Sequence, residues 1–215
     1  MSDDAELRAA WTGAIGAGRE ALVVFDEVVS RHREPQRRYH GVRHVTWVVR
    51  HVHALATEPG IQVGDMGAVI AAAFFHDAIY DPTRSDNEAR SAELAEQRLA
   101  ALGWPATRCR EVGRLVQATA SHALDDDGAG VDDGGAVLLD ADLAVLGSDP
   151  GAYQAYVTGV RAEYAHVDDA SWRAGRSAVL RGLLERQPIY LTPPARGRWE
   201  ARAGANMATE LDALR

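Results

Sequence analysis

The sequence has very little cysteine, with Cys109 as the single thiol among 215 residues. One thiol cannot close an intrachain disulfide, and it cannot supply the several ligands that cysteine-based zinc modules and iron–sulfur clusters require. Cysteine nucleophilic catalysis is also poorly supported, because no candidate base is apparent near Cys109. Any metal or catalytic chemistry is therefore expected from other side chains.

The sequence also lacks a long hydrophobic run. The longest apolar stretch, residues 67–75, is too short to cross a bilayer. The acidic N-terminus has neither the basic segment nor the apolar segment of a signal peptide. We therefore expect a cytoplasmic protein that has no membrane partner.

Positive charge is scarce relative to negative charge. Lys and Arg total 23 against 31 Asp and Glu, which gives a formal net charge of -8 at pH 7. No basic stripe is available to neutralise a nucleic-acid backbone, so nucleic acid is not expected as a stable partner. A small phosphorylated substrate is compatible with this composition, because it needs only a few local cations. The sequence contains neither a GxxxxGK[ST] phosphate loop nor an HExxH zinc helix.

The apolar residues recur mostly at three- or four-residue spacing, and few windows alternate as a half-exposed strand would. This pattern predicts an all-α fold, with residues 1–215 forming a single domain of about eight or nine helices. The predicted helices cover about 4–33, 40–58, 65–78, 86–102, 107–122, 136–146, 150–165, 171–185 and 199–214. The stretch 123–135, rich in Asp and Gly, is predicted to be a loop.

The segment Tyr39-His40-Gly41-Val42-Arg43-His44 contains the first side chains suited to metal chemistry. On a helix, His40 and His44 are one turn apart and face the same way. Two neighbouring imidazoles suit metal binding, or one metal ligand beside one proton donor. The alternative is a pair of ordinary surface histidines, and this segment taken alone slightly favours that alternative.

A second candidate is His76-Asp77, at the end of the apolar run 68–75. Burying two ionisable groups costs several kcal/mol unless each finds a partner, and a divalent cation can serve both. The alternative is a helix end where His76 meets free carbonyls and Asp77 meets water. Asp140 and Asp142 interrupt a later apolar stretch, and either could point inward. Imidazole and carboxylate ligands together suit a divalent ion such as Mn, Mg, Ni, Co, Fe or Zn.

In their order along the chain, these residues resemble the HD superfamily of metal-dependent phosphohydrolases. The family pattern is a His on one helix, a His-Asp pair on a later helix, and an Asp much further on. The matching residues here are His44, His76, Asp77 and Asp142. The resemblance covers roughly residues 40–146 and implies that these four side chains bind the metal. It also implies an HD-type helical bundle with its metal-site core at about 36–147 and a helical C-terminal extension at about 148–215.

Longer stretches look like a group of small bacterial predicted HD phosphohydrolases that have no assigned substrate. These stretches are 76–82, 86–92, 139–147, 161–164 and 200–206. Tyr39-His40 with His44 is similar to the first motif of the cyclic-nucleotide phosphodiesterases of the superfamily, in which the first His donates a proton and the second binds metal. By that resemblance His40 is the general acid. The chain is far shorter than those enzymes, and their purine-clamping Gln segment is not found in it.

The resemblance implies hydrolysis of a phosphoester or phosphoanhydride in a small molecule, with a nucleotide as the expected class, by a metal-activated water. Asp77 would bridge metals or orient the hydroxide, and His40 would protonate the leaving oxygen. His122, Glu88 and Asp140 are candidates for a second metal or for support of the ligands. For His122 the alternative is a bond to helix carbonyls, and for Glu88 it is a favourable place in a first helical turn.

Arg161 and Arg202 are the candidate phosphate clamps, because a guanidinium matches two phosphate oxygens; the alternative for both is a solvated surface position. Two other functions remain open. One is an HD-type diiron oxygenase, which needs additional His ligands. The other is a non-catalytic regulatory protein that binds metal or nucleotide. The sequence makes no prediction of the oligomeric state.

Overall fold

The computed structural model describes residues 3–123 and 132–215, and the described residues form ten α-helices and no strand. The predicted all-α fold is confirmed. The helices are α1 Asp3–Ala14, α2 Arg19–Arg31, α3 Val42–Ala56, α4 Met66–Phe75, α5 Asn87–Ala101, α6 Ala106–Ser121, α7 Gly134–Leu143, α8 Pro150–Glu163, α9 Asp169–Glu185 and α10 Pro193–Ala213. A 3₁₀ helix, Ala144–Gly147, follows α7. Of the predicted loop 123–135, residues 124–131 lie outside the described residues.

The first predicted helix, 4–33, is divided into α1 and α2. Gly16 lies between them with φ 142°, a conformation that residues with a side chain rarely adopt. Gly18 then precedes α2 in an extended conformation. The small residues that fitted a continuous helical pattern therefore form a turn, which brings the number of described helices to ten.

Helix α4 lies at the centre of the core. Every residue from Ala68 to Phe75 is buried, as expected for a helix that is apolar on all sides. Trp11 of α1 packs edge-on against Phe74, with ring centroids 5.1 Å apart. At its other end, α4 is capped by Asp65, whose carboxylate accepts the Ala68 N–H at 3.0 Å. His76, the C-cap of this buried helix, and Asp77 directly follow its last turn.

The predicted C-terminal extension packs into the same core as the rest of the chain. Leu180, Tyr190, Trp199 and Met207 belong to the core cluster that includes α4. Asn206 of α10 donates to the carbonyls of Leu146 at 2.8 Å and Ser148 at 3.0 Å. These bonds join α10 to the 3₁₀ helix, close to the end of α7.

Helix α10 begins at Pro193, six residues before the predicted start. Thr192 caps it, because the hydroxyl accepts the Ala195 N–H at 3.3 Å. Proline is compatible with the first turn of a helix, where its missing N–H would have no helical partner. Among the described helices, none combines the length and the apolar character needed to cross a membrane.

Candidate metal centre

Four predicted ligands meet at one point of the fold. The Nε2 atoms of His44 and His76 are 3.0 Å apart. Asp77 Oδ2 lies 3.3 Å from His44 Nε2 and 3.1 Å from His76 Nε2. Asp142 Oδ1 lies 3.2 Å and 3.6 Å from the same two nitrogen atoms. Three separate parts of the chain, in α3, after α4 and in α7, thus supply one cluster.

The backbone around α4 fixes the orientation of His76. This residue is the C-cap of α4, and its Nδ1–H donates to the Ala73 carbonyl at 3.0 Å. In the neutral ring the lone pair is therefore on Nε2, which faces the cluster. A backbone bond of this kind is common behind metal-binding histidines, because it holds the ring in place.

Three of these side chains, His44, His76 and Asp77, could hold a divalent cation, and Asp142 lies beside them. Two imidazole lone pairs at 3.0 Å repel each other unless a proton or a cation lies between them. Ligand bonds of about 2.0–2.2 Å place neighbouring ligand atoms about 3.0–3.5 Å apart, which matches the distances in the cluster. His44, His76 and Asp77 offer donor atoms that all lie within 4.8 Å of one another. Two carboxylates would also neutralise the charge of the ion.

Without a cation, protons would balance the same charges. Burial alone would lower the pKa of His76, but the charges of Asp77 and Asp142 outweigh it and raise the pKa well above its usual value. Burial alone would raise the pKa of Asp77, but His76 and His40 hold it well below its usual value. Cations and protons therefore compete for one set of buried atoms.

Asp140 and Asp142 have separate roles, although they are two residues apart on α7. Side chains at this spacing point to different sides of a helix. The buried Asp140 carboxylate accepts the backbone N–H groups of Leu191 at 2.7 Å and Thr192 at 2.8 Å. Asp140, predicted as a possible support for the metal, is therefore corrected to an anchor for the segment before α10.

His40 lies beside the cluster and precedes the helix that was predicted to contain it. Helix α3 begins at Val42 with Gly41 as its N-cap, so His40 is not one helical turn from His44. The His40 Nδ1 atom lies 2.7 Å from Glu163 Oε2. Its ring stacks on Tyr80, with centroids 4.3 Å apart and planes at 29°.

Glu163 is a site residue that sequence reasoning missed. Its side chain is fully buried, and Oε1 accepts the backbone N–H groups of Arg38, Tyr39 and His40 at 2.7, 2.8 and 3.0 Å. Burial would raise the pKa of Glu163, but the bonds from His40 and the backbone lower it to about 2. Its position was a usable signal, because Glu163 follows the buried Val160 by three residues and so falls on the inner face of α8.

Arg37 also holds the site together, and it was not predicted either. Its Nη1 donates to the carbonyls of His40 at 2.9 Å and Asp77 at 2.6 Å, and Nη2 donates to that of Ala78 at 3.2 Å. The guanidinium is buried and also pairs with Glu34. Arg37 therefore holds the loop that contains His40 against the turn that contains Asp77.

Two of the three residues predicted for a second metal or for support of the ligands line the same cavity. His122 Nε2–H donates to Asp142 Oδ2 at 3.0 Å, so this residue contacts a predicted ligand instead of helix carbonyls. His122 ends α6 in the left-handed region, at φ 49° and ψ 39°, a conformation that few non-glycine residues adopt. Glu88 lines the cavity from the first turn of α5.

The two predicted phosphate clamps bond to backbone carbonyls, and Arg161 also lies over the ring of the cavity residue Trp172, 5.2 Å from its centroid. Neither Arg161 nor Arg202 is among the residues that line the cavity. Arg161 donates to the carbonyls of Tyr164 at 2.7 Å and Val167 at 3.1 Å, and so closes the turn between α8 and α9. Arg202 donates to the Gly147 carbonyl at 3.3 Å. Both guanidinium groups are used to join backbone segments.

The cluster forms the floor of a cavity of about 710 Å³. This volume is typical of sites for small organic molecules. Another wall comes from α8, α9 and the turn between them, and it is largely aromatic and aliphatic. The cavity lining therefore combines the polar, charge-bearing groups of the cluster with apolar groups from α8 and α9. No family model, curated protein or solved structure matches this chain.

Proposed function

We propose that this protein is a metal-dependent phosphohydrolase of the HD type that cleaves a phosphoester or phosphoanhydride bond of a small molecule. The observation that carries the proposal is the convergence of His44, His76, Asp77 and Asp142 at a cavity, with the two imidazole nitrogen atoms 3.0 Å apart and a carboxylate oxygen of each acid 3.1 to 3.6 Å from them. The order of these residues in the sequence also resembles the HD pattern. Hydrolysis is the reaction that a hard, divalent-metal site beside a proton donor supports best.

The four clustered side chains would hold the cation. A bound divalent ion supplies positive charge for phosphoryl oxygens and lowers the pKa of a water molecule toward neutrality. Asp77 is only partly buried, with its side chain 14% exposed, so one of its carboxylate oxygens can also hold a water molecule in the cavity. Asp77 would therefore orient the attacking water.

His40 would act on the leaving oxygen. Glu163 and the stacked Tyr80 ring hold the imidazole, and with Nδ1 bonded to Glu163 it is Nε2 that can deliver a proton to a substrate. A carboxylate behind an imidazole fixes its orientation and its tautomer. Glu163 is thus a positioning residue that acts through His40.

Two acids on α7 make a matched test. The change Asp142→Asn removes a cluster carboxylate, whereas Asp140→Asn alters a carboxylate two residues away that binds the segment before α10. Protein purified without chelator is assayed for bound metal and for hydrolysis of phosphomonoesters, phosphodiesters and nucleotides with added Mn²⁺, Mg²⁺, Ni²⁺ or Co²⁺. We expect Asp142→Asn to lose metal and activity, and folded Asp140→Asn protein to keep both. Full metal binding by Asp142→Asn protein would refute the assignment.

A diiron oxygenase is the second candidate, and the position of His122 favours it. This imidazole lies 3.0 Å from Asp142, so a second metal could share the carboxylate. Iron content, visible absorption and O₂ uptake separate this reaction from hydrolysis. A protein that binds metal but hydrolyses none of the panel and consumes no O₂ would support a regulatory role instead.

A further inference from the structure

The cavity has little free positive charge. In the described part of the chain, the arginines that line it are Arg84 and Arg176, and the sequence contains no lysine. Arg84 donates to both carboxylate oxygens of Asp86, at 2.6 and 2.5 Å. Arg176 donates to both oxygens of Glu210, at 2.7 and 3.0 Å. Each guanidinium is therefore already neutralised by its own carboxylate.

A third hydrogen bond of Arg176 also stays within the protein. Its Nη1 donates to the Tyr156 hydroxyl at 2.9 Å, and the side chain is buried. The acids that line the cavity are Asp77, Glu88 and Asp142. A divalent ion would balance Asp77 and Asp142, which leaves no excess positive charge for a chain of phosphates. Polyphosphate sites normally supply several free cationic side chains or backbone N–H groups.

The cavity wall formed by α8 and α9 is mostly aromatic and aliphatic, unlike the charged metal cluster. Tyr156, Tyr164, Trp172 and Val179 line it together with Val160 and Val167. The rings of Tyr164 and Trp172 contact each other, with centroids 5.6 Å apart. Val179 is 54% exposed, although it is a large aliphatic side chain. Such a surface gains free energy when an apolar or aromatic group covers it.

We propose that the cavity binds a small organic phosphate with one phosphoryl group, whose aromatic or apolar part lies against Tyr164, Trp172 and Val179. The phosphoryl group takes the end formed by the metal cluster, and polyphosphates are disfavoured. This inference rests on the proposed function and narrows its substrate class. The cavity volume of about 710 Å³ accommodates both parts of such a molecule.

Three small phosphonates test this proposal, because none can be hydrolysed at its carbon–phosphorus bond by the proposed reaction. Methylphosphonate has the phosphoryl group alone, phenylphosphonate adds a ring, and phosphonoacetate adds a negative charge. We expect calorimetry with the Mn²⁺-loaded protein to give phenylphosphonate an affinity at least about tenfold higher than that of methylphosphonate. Phosphonoacetate should bind no more tightly than methylphosphonate. Equal affinities for the first two, or tightest binding of phosphonoacetate, would overturn the proposal.

Substitutions in the wall formed by α8 and α9 test whether this wall causes the preference for phenylphosphonate. Trp172→Ala should reduce the advantage of phenylphosphonate to less than about threefold while leaving methylphosphonate binding unchanged. Val179→Ala removes a smaller apolar contact and should reduce the advantage less. Val23→Ala is the matched control, because Val23 is a comparably exposed valine, 62% against 54%, on α2 and outside the cavity lining. An unchanged ring preference in both cavity variants contradicts the assignment.

Measuring metal binding separately from phosphonate binding distinguishes a failure of the proposed function from a failure of the proposed substrate class. Mn²⁺ binding is measured first, and the three phosphonates are then ranked with and without the metal. If none of Mn²⁺, Mg²⁺, Ni²⁺, Co²⁺, Fe²⁺ and Zn²⁺ binds, the proposed function fails, whereas the ring preference is still read from the metal-free titrations. If Mn²⁺ binds and the ring confers no advantage in either series, the substrate class is wrong and the metal site stands.

Discussion

Competition between protons and metal at the cluster gives the most direct test, because it requires no knowledge of the substrate. The Nε2 atoms of His44 and His76 face each other at 3.0 Å, and both imidazoles have raised pKa values. For each of them burial lowers the pKa, and bonds and charges from Asp77 and Asp142 more than reverse that effect. The metal-free cluster therefore holds at least one proton near neutral pH.

Metal binding must displace these protons, since a coordinated imidazole is neutral. With one to two protons released, the apparent affinity for Mn²⁺ should rise about 10- to 100-fold per pH unit while the imidazoles are still protonated. At a fixed Mn²⁺ concentration well above the dissociation constant, the stabilisation of the fold should grow by about 1.4–2.8 kcal/mol over the same pH unit.

The stability of the metal-free protein should change with pH in the opposite direction. The raised pKa values of His44 and His76 stabilise the fold fully below their unfolded value, 6.5, and this contribution is lost as pH rises through the folded values. The lowered pKa values of Asp77 and Asp142 stabilise it above 3.8, and that contribution is lost as pH falls. The cluster therefore stabilises the metal-free protein most between about pH 4 and 6.5.

Calorimetric titration of Mn²⁺ in two buffers of different protonation enthalpy counts the released protons, and urea unfolding with and without Mn²⁺ measures the stability. His53→Ala serves as the control, because His53 is an exposed imidazole on the same helix, α3. The reasoning is refuted if Mn²⁺ binds without proton release. It is also refuted if the metal-free protein gains stability from this cluster as the pH rises above 7.

Four further predictions concern single residues. His40→Ala should keep the metal and lose about 10²–10⁴-fold in turnover on a substrate with a poor leaving group, with a much smaller loss on an activated aryl phosphoester. His44→Ala should instead lose metal affinity, by metal analysis, and fail on both substrates. Glu163→Gln should retain metal and lose about 10- to 100-fold in turnover on the poor leaving group, because it removes a charge-assisted bond to His40; an activated aryl phosphoester is the control. Asp140→Ala should lower the free energy of unfolding in urea by about 2–5 kcal/mol, because it leaves two buried N–H groups without a partner, and unchanged stability would contradict its anchoring role.

Helices and the order of the candidate ligands were accessible from the sequence, because both depend on local spacing. Helix α4 is apolar at every position, which predicts its central place whatever surrounds it. The division between α1 and α2 was missed, since the apolar spacing continues across the glycines and only the conformation of Gly16 reveals the turn. The spacing of apolar residues indicates which side chains a helix can bury, but it does not indicate at which residue the helix ends.

The surroundings of His40 could not be predicted in this way. Its segment ends outside α3 because three successive backbone N–H groups bond to Glu163, a residue more than 120 positions later in the chain. The two acids of α7 pose the same problem, since each is equally plausible as a ligand until the partner of Asp140, the segment before α10, is placed. Long-range pairing decides both cases, and no short window of sequence contains it.

The energetics of the cluster favour binding over stability as the reason for its composition. A buried network of two imidazoles and two carboxylates is at best weakly stabilising, because desolvation offsets most of the attraction between the charges. Asp140 contributes more to folding stability with one carboxylate, since it accepts two backbone N–H groups that would otherwise be left without partners. Packed aliphatic side chains at the cluster would serve the core as well or better. The polar groups therefore make physical sense as ligands, and Arg37 holds the backbone of one of them, Asp77, beside the loop that contains His40.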